Sequence, residues 1–312
     1  MHPGTECRPA RAGGNVRDMT TPPLPDSVTL AEGEGGLPVL RVAAASATGE
    51  IYLNGGHVTA WTPAGHDPVL WMSGSSNFTE GQAIRGGIPI CFPWFGPAPE
   101  PGLPAHGFAR LAQWRLREVQ EDDGAVTVAL ELTDADVTAL PAAASWPHAF
   151  TATLTVTIGT ELTVALEVHN TGRDELSYEA ALHSYLAVSD VRAATVQGLD
   201  GAGYLDKAPS APAARAVQDG DVTFTGETDR VYDSTATAVV LDQGRSIGIS
   251  KDGSAHTVVW NPWVVKAAAM ADFGDAEWPA TVCVETANVL DAAIALAPGQ
   301  RHVMTAHYTV TR

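Results

Sequence analysis

The sequence predicts an all-β protein, a large antiparallel β-sandwich with few short helices. Strand-length apolar segments separated by Gly, Pro, Asn and Asp recur along most of the chain. Phe150–Ile158 carries Thr at every second position, and a two-residue turn joins it to Glu161–His169, which is the pattern of a β-hairpin. Helical periodicity is confined to Asp134–Leu140 and Lys266–Ala271. Many strands with short connections favour a sandwich.

Other segments have the length and composition of strands. In chain order they are Leu37–Ala43, Glu50–Leu53, His57–Thr62, Pro68–Met72, Gln113–Val119, Ala125–Leu132, Leu176–Val188, Val231–Tyr232, Ala236–Leu241, Ser246–Ser250, His256–Trp260, Thr281–Glu285 and Val303–Val310. No linker, repeat or change of composition interrupts residues 27–312, so we expect a single β-sandwich domain there. Residues 1–26 are rich in Pro, Gly, Arg and Thr, and we expect a disordered N-terminal extension.

The charge balance limits the kinds of partner. The chain of 312 residues has 36 acidic and 18 basic side chains, a net charge of −18. Such a protein is repelled by nucleic acid and by anionic membrane surfaces, and we expect neither as a partner. An anionic ligand would need a local cluster of cations. Lys207, Lys251 and Lys266 are the three lysines of the chain.

The cysteines and the hydropathy indicate where the protein works. Cys7, Cys91 and Cys283 are widely spaced, without the spacing of a disulfide framework or a metal site. Cys91 and Cys283 lie in apolar segments and are typical of buried thiols in a reducing compartment. The sequence contains no apolar run long enough to span a membrane and no secretory signal pattern, so we expect a cytoplasmic protein.

One long irregular segment, Ile84 to Arg110, is apolar yet rich in Pro and Gly, which excludes a continuous strand or helix. It also carries Arg85, His106 and Arg110. Ordered loops of this length in a compact domain are usually functional. The alternative is a hydrophobic plug over one end of the sandwich with the charged residues at its rim.

Three further positions could carry chemistry. His183 interrupts an apolar strand, although a histidine there is often a core residue with a satisfied hydrogen bond. Glu285 ends an apolar strand, and a carboxylate there either faces water or belongs to a site. Asp206 precedes Lys207 in a Gly-containing turn, where an exposed ion pair is the simplest interpretation.

Other kinds of chemistry lack their motifs. The sequence has no nucleophile elbow, no phosphate-binding Gly-rich loop before a helix, no dinucleotide fingerprint and no metal-ligand cluster. We therefore expect acid–base chemistry without a cofactor, on a neutral or anionic polar substrate.

Seven motifs in order resemble those of the hexose-6-phosphate mutarotases, the glucose-6-phosphate 1-epimerases within the broader aldose 1-epimerase superfamily. They are Arg85-Gly-Gly-Ile-Pro-Ile-Cys-Phe-Pro-Trp-Phe-Gly, His106-Gly-Phe-Ala-Arg, Leu182-His-Ser-Tyr-Leu, Tyr204-Leu-Asp-Lys, Trp260-Asn-Pro-Trp, Met270-Ala-Asp-Phe-Gly and Val282-Cys-Val-Glu-Thr-Ala-Asn. The resemblance covers residues 30–310. It implies the galactose-mutarotase-like β-supersandwich and the interconversion of the α and β anomers of a hexose 6-phosphate such as glucose 6-phosphate.

The resemblance also implies roles for individual residues. His183 matches the general acid, which gives a proton to the ring oxygen, and Glu285 matches the general base, which takes one from the C1 hydroxyl. The substrate-binding positions match Arg85, Arg110 and Asp206, and His106 lies in the same substrate loop. We expect the carboxylate of Glu285 to keep His183 charged, and the two arginines to hold the phosphate.

Two other functions remain open at this point. One is an aldose 1-epimerase for unphosphorylated sugars, with structural arginines. The other is a non-catalytic carbohydrate-binding β-sandwich, which would be expected to have lost His183 or Glu285. A lyase on a similar sandwich would need Tyr185 or Lys266 as its base and is the weaker alternative. We expect a monomer whose partner is a small sugar phosphate.

Overall fold

Two large antiparallel sheets, of nine and eight strands, form the body of the protein. The computed structural model describes residues 22–209 and 214–312. Of the N-terminal extension predicted to be disordered, residues 1–26, the first 21 residues lie outside the described part of the chain. No helix in the described part of the chain is long and apolar enough to cross a bilayer.

The described residues contain 23 strands and one short α-helix, α1 (Trp263–Ala269). The strands are β1 (Val28–Glu32), β2 (Pro38–Ala43), β3 (Ala47–Tyr52), β4 (His57–Pro63), β5 (Ile90–Cys91), β6 (Arg115–Asp122), β7 (Ala125–Thr133), β8 (Phe150–Ile158), β9 (Leu162–Asn170), β10 (Leu176–Tyr178), β11 (Ala180–Leu182), β12 (Tyr185–Ala187), β13 (Thr195–Gln197), β14 (Gly203–Asp206), β15 (Ala214–Val217), β16 (Val222–Thr223), β17 (Thr228–Asp233), β18 (Ala238–Asp242), β19 (Arg245–Asp252), β20 (His256–Asn261), β21 (Thr281–Asn288), β22 (Ile294–Leu296) and β23 (Arg301–Thr311). Six 3-10 helices are Glu34–Gly36, Ala109–Leu111, Asp134–Val137, Pro141–Ser145, Trp278–Ala280 and Leu290–Ala292.

The nine-stranded sheet has the order β16-β13-β18-β19-β23-β9-β8-β7-β6. The predicted hairpin is part of this sheet, where β8 pairs with β9 from Phe150↔Asn170 to Ile158↔Leu162. Every second residue of β7, β8 and β9 is buried, and these apolar side chains form one wall of the main core. The alternation in the sequence thus corresponds to one buried and one half-buried face. The predicted all-β antiparallel fold with few helices is confirmed.

The eight-stranded sheet has the order β15-β14-β17-β20-β21-β11-β5, and β12 also pairs with β21. All residues of β20 and β21 are buried, so both faces of this part of the sheet are covered. One face packs into the main core, and residues of the 84–110 segment lie over the other. This covered second face is where a site can form.

Two predicted strands differ from the structure. Pro68–Met72 makes only isolated bridges, Leu70↔Leu186 and Met72↔Gly86, because Pro68 cannot donate to a ladder and the partners belong to interrupted segments. The predicted strand Leu176–Val188 is broken into β10, β11 and β12. At the first break, the Glu179 carboxylate accepts hydrogen bonds from the backbone N–H groups of Phe95 and Leu290. The second break is at His183 and Ser184.

The 84–110 segment is ordered by its own aromatic side chains and by glycine. Phe92 and Phe108 are fully buried and meet edge to face, with ring centroids 6.1 Å apart. Gly107 has φ +74°, and a Cβ there would lie 2.0 Å from the carbonyl oxygen of Phe92, so only glycine fits. The segment is therefore a hydrophobic plug, as one interpretation predicted, but its polar residues turn inward.

Candidate active site

A cavity of about 610 Å³ lies over β17, β20 and β21, on the face that the 84–110 segment covers. Its size is that of a small-molecule site. Five of the six predicted site residues line it, namely Arg85, His106, Arg110, His183 and Glu285. The structure therefore brings together residues that are up to 200 positions apart in the sequence. Asp206 is not among the lining residues.

A second cavity, of about 540 Å³, lies beside β8 and the 3-10 helices at 134–145. Asp134 and His148 are its only titratable lining residues, and the rest of its wall is mainly Ala, Pro and other apolar residues. It offers no cluster of groups that could do acid–base chemistry. The first cavity, which holds the buried His183 and Glu285, is the candidate active site.

His183 and Glu285 face each other because of a local irregularity in the sheet. The register pairs Leu182 with Thr286 and Tyr185 with Cys283, so the break at His183 lies directly opposite Glu285 on β21. His183 Nε2 lies 3.4 Å from Glu285 Oε1, and the side chains are 9% and 1% exposed. The sheet thus holds two titratable side chains next to each other, both more than nine-tenths buried, in the wall of the cavity.

Burial and neighbouring charges shift both members of the pair. Burial raises the pKa of Glu285 well above 4.5, and the nearby carboxyl of Asp229 raises it further. Burial lowers the pKa of His183 well below 6.5, and His106, Arg85 and Arg110 lower it further. Both shifts favour the uncharged form of each group, that is, a protonated Glu285 beside a neutral His183. The expectation that Glu285 keeps His183 charged did not take account of this burial, which is the largest cause of the lowered pKa of His183 and which the sequence does not show.

His106 is fixed as a neutral hydrogen-bond donor. Its Nδ1 accepts a hydrogen bond from the backbone N–H of Gly96 (3.2 Å), with the Cys91 thiol 3.4 Å away. Since Nδ1 is an acceptor, the ring proton is on Nε2. Burial and the charges of Arg110 and Lys207 keep the pKa of His106 well below 6.5. The residue has φ +61°, a strained conformation that is common at functional positions.

Arg85 is occupied by protein groups. Its Nε and Nη2 donate to Asp272 Oδ2 at 3.2 and 3.0 Å, and its Nη1 donates to the Tyr185 hydroxyl at 2.8 Å. The Tyr185 ring stacks on the His183 imidazole, with centroids 4.8 Å apart and planes 11° from parallel. Arg85 therefore fixes the ring on which His183 rests.

Arg110 is less engaged than Arg85. Its Nη2 donates to the carbonyl oxygen of Ala105 at 2.8 Å, and its Nε is buried without a hydrogen-bond partner. It forms no ion pair with a carboxylate in the described part of the chain. Its charge is thus available to an anion in the cavity.

Asp206 is buried beside the cavity and is held by the protein. Its Oδ2 lies 3.2 Å from Arg230 Nε, and its Oδ1 accepts the backbone N–H of Ala208 at 3.0 Å. Neighbouring residues of a strand point to opposite faces, and here it is Lys207, directly after β14, that reaches the cavity.

The sequence profile of the family described as aldose 1-epimerase matches residues 39–309. The chain belongs to the aldose 1-epimerase family. The resemblance that was drawn from the seven motifs is confirmed at this level.

Relatives of this aldose 1-epimerase family member cover most of its length. An Escherichia coli (strain K12) protein proposed to be a glucose-6-phosphate 1-epimerase is 39% identical over 238 residues, 75% of this chain and 78% of the relative. The crystal structure of a Salmonella typhimurium protein proposed to be a mutarotase aligns with a TM-score of 0.81 and 32% identity, over 91% of this chain and 97% of that one. A galactose mutarotase-like protein from Clostridium acetobutylicum shares the fold, with a TM-score of 0.73 at 14% identity over 91% and 98% of the two chains. The predicted galactose-mutarotase-like supersandwich is confirmed.

Three charged lining residues of this aldose 1-epimerase family member, Lys207, Asp229 and Lys266, were not predicted as site residues. The sequence does distinguish Lys207 and Lys266, because lysine is rare in the chain and both residues lie in or near the motifs. Nothing in the sequence distinguishes Asp229, since Thr228-Asp-Arg230 belongs to none of the seven motifs. Burial raises the pKa of Asp229, and the charges of Lys207 and Lys266 oppose this shift.

Proposed function

We propose that this protein interconverts the α and β anomers of a hexose 6-phosphate such as glucose 6-phosphate. The observation that carries the proposal is the buried pair of His183 and Glu285, 3.4 Å apart, in a cavity that also presents cations without carboxylate partners. The activity proposed for the Escherichia coli relative is the same. Membership of the aldose 1-epimerase family does not by itself show whether the sugar substrate carries a phosphate.

Anomerisation needs one proton added to the ring oxygen and one removed from the C1 hydroxyl. Glu285 as carboxylate would take the C1 proton while protonated His183 gives one to the ring oxygen, which breaks the C1–O5 bond. Rotation about C1–C2 and the reverse transfers close the other anomer. Each positioned proton transfer is worth about 10²–10⁴ in rate. The pair keeps one proton before and after opening, so no cofactor or solvent proton is required.

The neutral pair that the cavity favours is the state that follows ring opening. It can close the open-chain aldehyde directly, because Glu285 then carries the proton for O1 and neutral His183 can accept the proton of O5. For opening, His183 must hold the proton. A bound phosphate carries about −1.5 to −2 charges and would offset the cations that disfavour a charged imidazole. His106 Nε2–H can donate to a sugar oxygen throughout.

Arg110 is the arginine whose guanidinium is best placed to bind a phosphate, since Arg85 already has two protein partners. Guanidinium matches phosphate oxygens in a bidentate manner. Arg110→Ala should therefore raise KM for glucose 6-phosphate far more than KM for glucose. Equal losses for both sugars would contradict the phosphate assignment.

The test of the function is NMR magnetisation exchange between the α and β anomeric protons of glucose 6-phosphate, with catalytic amounts of protein. Glucose and galactose are run in parallel. We expect strong acceleration with the phosphate and much weaker acceleration with the other two sugars. Equal acceleration of all three would assign the protein to unphosphorylated aldoses. No acceleration by folded protein would favour a binding module.

We further propose that the protein acts as a monomer in the cytoplasm. Every group of the proposed mechanism comes from one chain, so a monomer suffices for the reaction. Cys91 and Cys283 are free, buried thiols, which fits the reducing compartment expected from the sequence.

A further inference from the structure

We propose that Lys207 anchors the 6-phosphate and sets the preference for phosphorylated sugars, and that Asp206 is a positioning residue that acts through Lys207. This inference rests on the proposed function and gives it a specific chemical basis. It also reassigns the substrate-binding role that the resemblance placed on Asp206.

The first support is the distribution of charge in the cavity. Four arginine and lysine side chains line it: Arg85, Arg110, Lys207 and Lys266. Arg85 is paired with Asp272 at 3.0 Å, and Lys266 is paired with Glu227 at 2.8 Å. Arg110 and Lys207 form no ion pair with any carboxylate in residues 22–209 and 214–312. Two cations without an ion-pair partner suit a phosphate monoester, which carries about −1.5 to −2 charges.

The second support is that these two cations act on the same part of the cavity. Among the charges that lower the pKa of His106, Arg110 is the largest and Lys207 follows. Arg110 also donates to the carbonyl oxygen of Ala105, the residue before His106, so a phosphate that bridges Arg110 and Lys207 would lie close to His106, whose Nε2–H can donate to a sugar oxygen. The sugar ring can then reach the pair of His183 and Glu285.

The third support is the fixed backbone around Lys207. Its own N–H donates to the carbonyl oxygen of Asp229 at 2.7 Å. On either side, the Asp206 carboxylate holds Arg230 and the N–H of Ala208. These contacts direct the Lys207 side chain into the cavity and keep Asp206 out of it. Asp206 is therefore well placed to orient the lysine and poorly placed to touch the substrate.

The fourth support is how the ammonium group is held. Lys207 Nζ lies 4.9 Å from the centroid of the Phe95 ring, and this ring in turn meets His106 edge to face at 4.9 Å. A cation–π contact holds the ammonium in place without cancelling its charge. It also leaves the N–H donors of the lysine available for phosphate oxygens.

Lys266 provides a matched control. It has the same chemistry and lines the same cavity, but Glu227 already neutralises it. The test compares Lys207→Met, Lys207→Arg and Lys266→Met. For each protein, calorimetry gives Kd for glucose 6-phosphate and for glucose, and the anomer exchange rates are measured separately.

We expect Lys207→Met to weaken the binding of glucose 6-phosphate about 10- to 100-fold more than that of glucose, the value of one charged hydrogen bond. Lys207→Arg should recover part of this preference, and Lys266→Met should change it less than about threefold. Equal effects of the two Met variants would overturn the inference, as would wild-type protein that binds glucose 6-phosphate no better than glucose. If the protein binds glucose 6-phosphate in a manner that depends on Lys207 but does not accelerate anomer exchange, the proposed function is wrong and the role of Lys207 in binding stands.

The role of Asp206 is tested by a double-mutant cycle. Asp206→Ala should lower the preference for glucose 6-phosphate over glucose in the wild-type background by at least about threefold. In the Lys207→Met background it should lower that preference no further, because the residue through which it acts is gone. An additional loss in the double variant would mean that Asp206 contacts the substrate itself.

Discussion

Glu285 Oε1 lies 3.4 Å from His183 Nε2, and the break between β11 and β12 is what brings the two together. A continuous strand would have placed His183 in the regular pleat, where alternation fixes each side chain to one face. The interruption therefore gives the cavity an acid–base pair from two neighbouring strands.

The pH dependence of the reaction follows from the two shifted groups. As the pH falls through the lowered pKa of His183, the pair gains a second proton and loses its base. As the pH rises through the raised pKa of Glu285, the pair loses its only proton. We expect a bell-shaped profile of kcat/KM for glucose, a substrate without a phosphate that titrates. Its acid limb should lie well below pH 6.5. An acid limb with its half-maximal rate at pH 6.5, the ordinary pKa of histidine, would contradict this assignment.

The hydrogen bond from Arg85 to Tyr185 fixes the ring that stacks on His183, and it should therefore support the rate of the chemical step. Tyr185→Phe keeps the ring but removes the hydroxyl that accepts from Arg85, which leaves a buried donor unsatisfied. We expect kcat to fall about tenfold with little change in KM. Tyr178→Phe is the matched control, since this buried tyrosine contacts His302, outside the cavity. Equal losses in both variants would point to a general effect on stability.

The plug that carries His106 should depend on one glycine. Gly107→Ala places a Cβ 2.0 Å from the Phe92 carbonyl oxygen, so the backbone must shift. We expect the free energy of unfolding to fall by about 3 kcal/mol or more, and activity to fall as His106 moves. Gly102→Ala in the same segment also has positive φ but meets nothing within 4 Å, and it should cost about 1 kcal/mol. Chemical denaturation measures both, and similar costs would contradict the account.

Much of this arrangement could be predicted from the sequence. The alternation of β8 and β9 and the turn residues fixed the class of fold, and the motifs identified five residues of the cavity. The partners of those residues could not be predicted. The ion pair of Arg85 with Asp272 joins positions 187 apart, and only the folded sheet shows that it occupies Arg85. For Asp206 and Lys207, the sequence did not say which neighbour faces the cavity. The burial of Asp229 likewise depends on packing that leaves no local pattern.

Lys251 should make stability depend on pH. Burial lowers its pKa to about 7, although its Nζ donates to the carbonyl oxygen of His256 and to Thr257. Between pH 7 and its ordinary pKa of 10.5 the unfolded chain binds the proton and the folded chain does not, so stability rises with pH. We expect the Tm of the wild type to rise from pH 7 to pH 9 relative to that of Lys251→Met. A constant difference between the two proteins would contradict the shift.

The most direct test of the central claim is the anomer exchange rate of glucose 6-phosphate with wild-type protein and with Glu285→Gln. The substitution keeps the shape of the side chain and removes the group that exchanges protons with the substrate and His183. Circular dichroism and thermal unfolding establish that the variant is folded. We predict a loss of at least about 10²-fold in kcat with a smaller change in the Kd of glucose 6-phosphate. A folded variant that keeps more than about a tenth of the wild-type rate would contradict the account, since one positioned proton transfer is worth more than that.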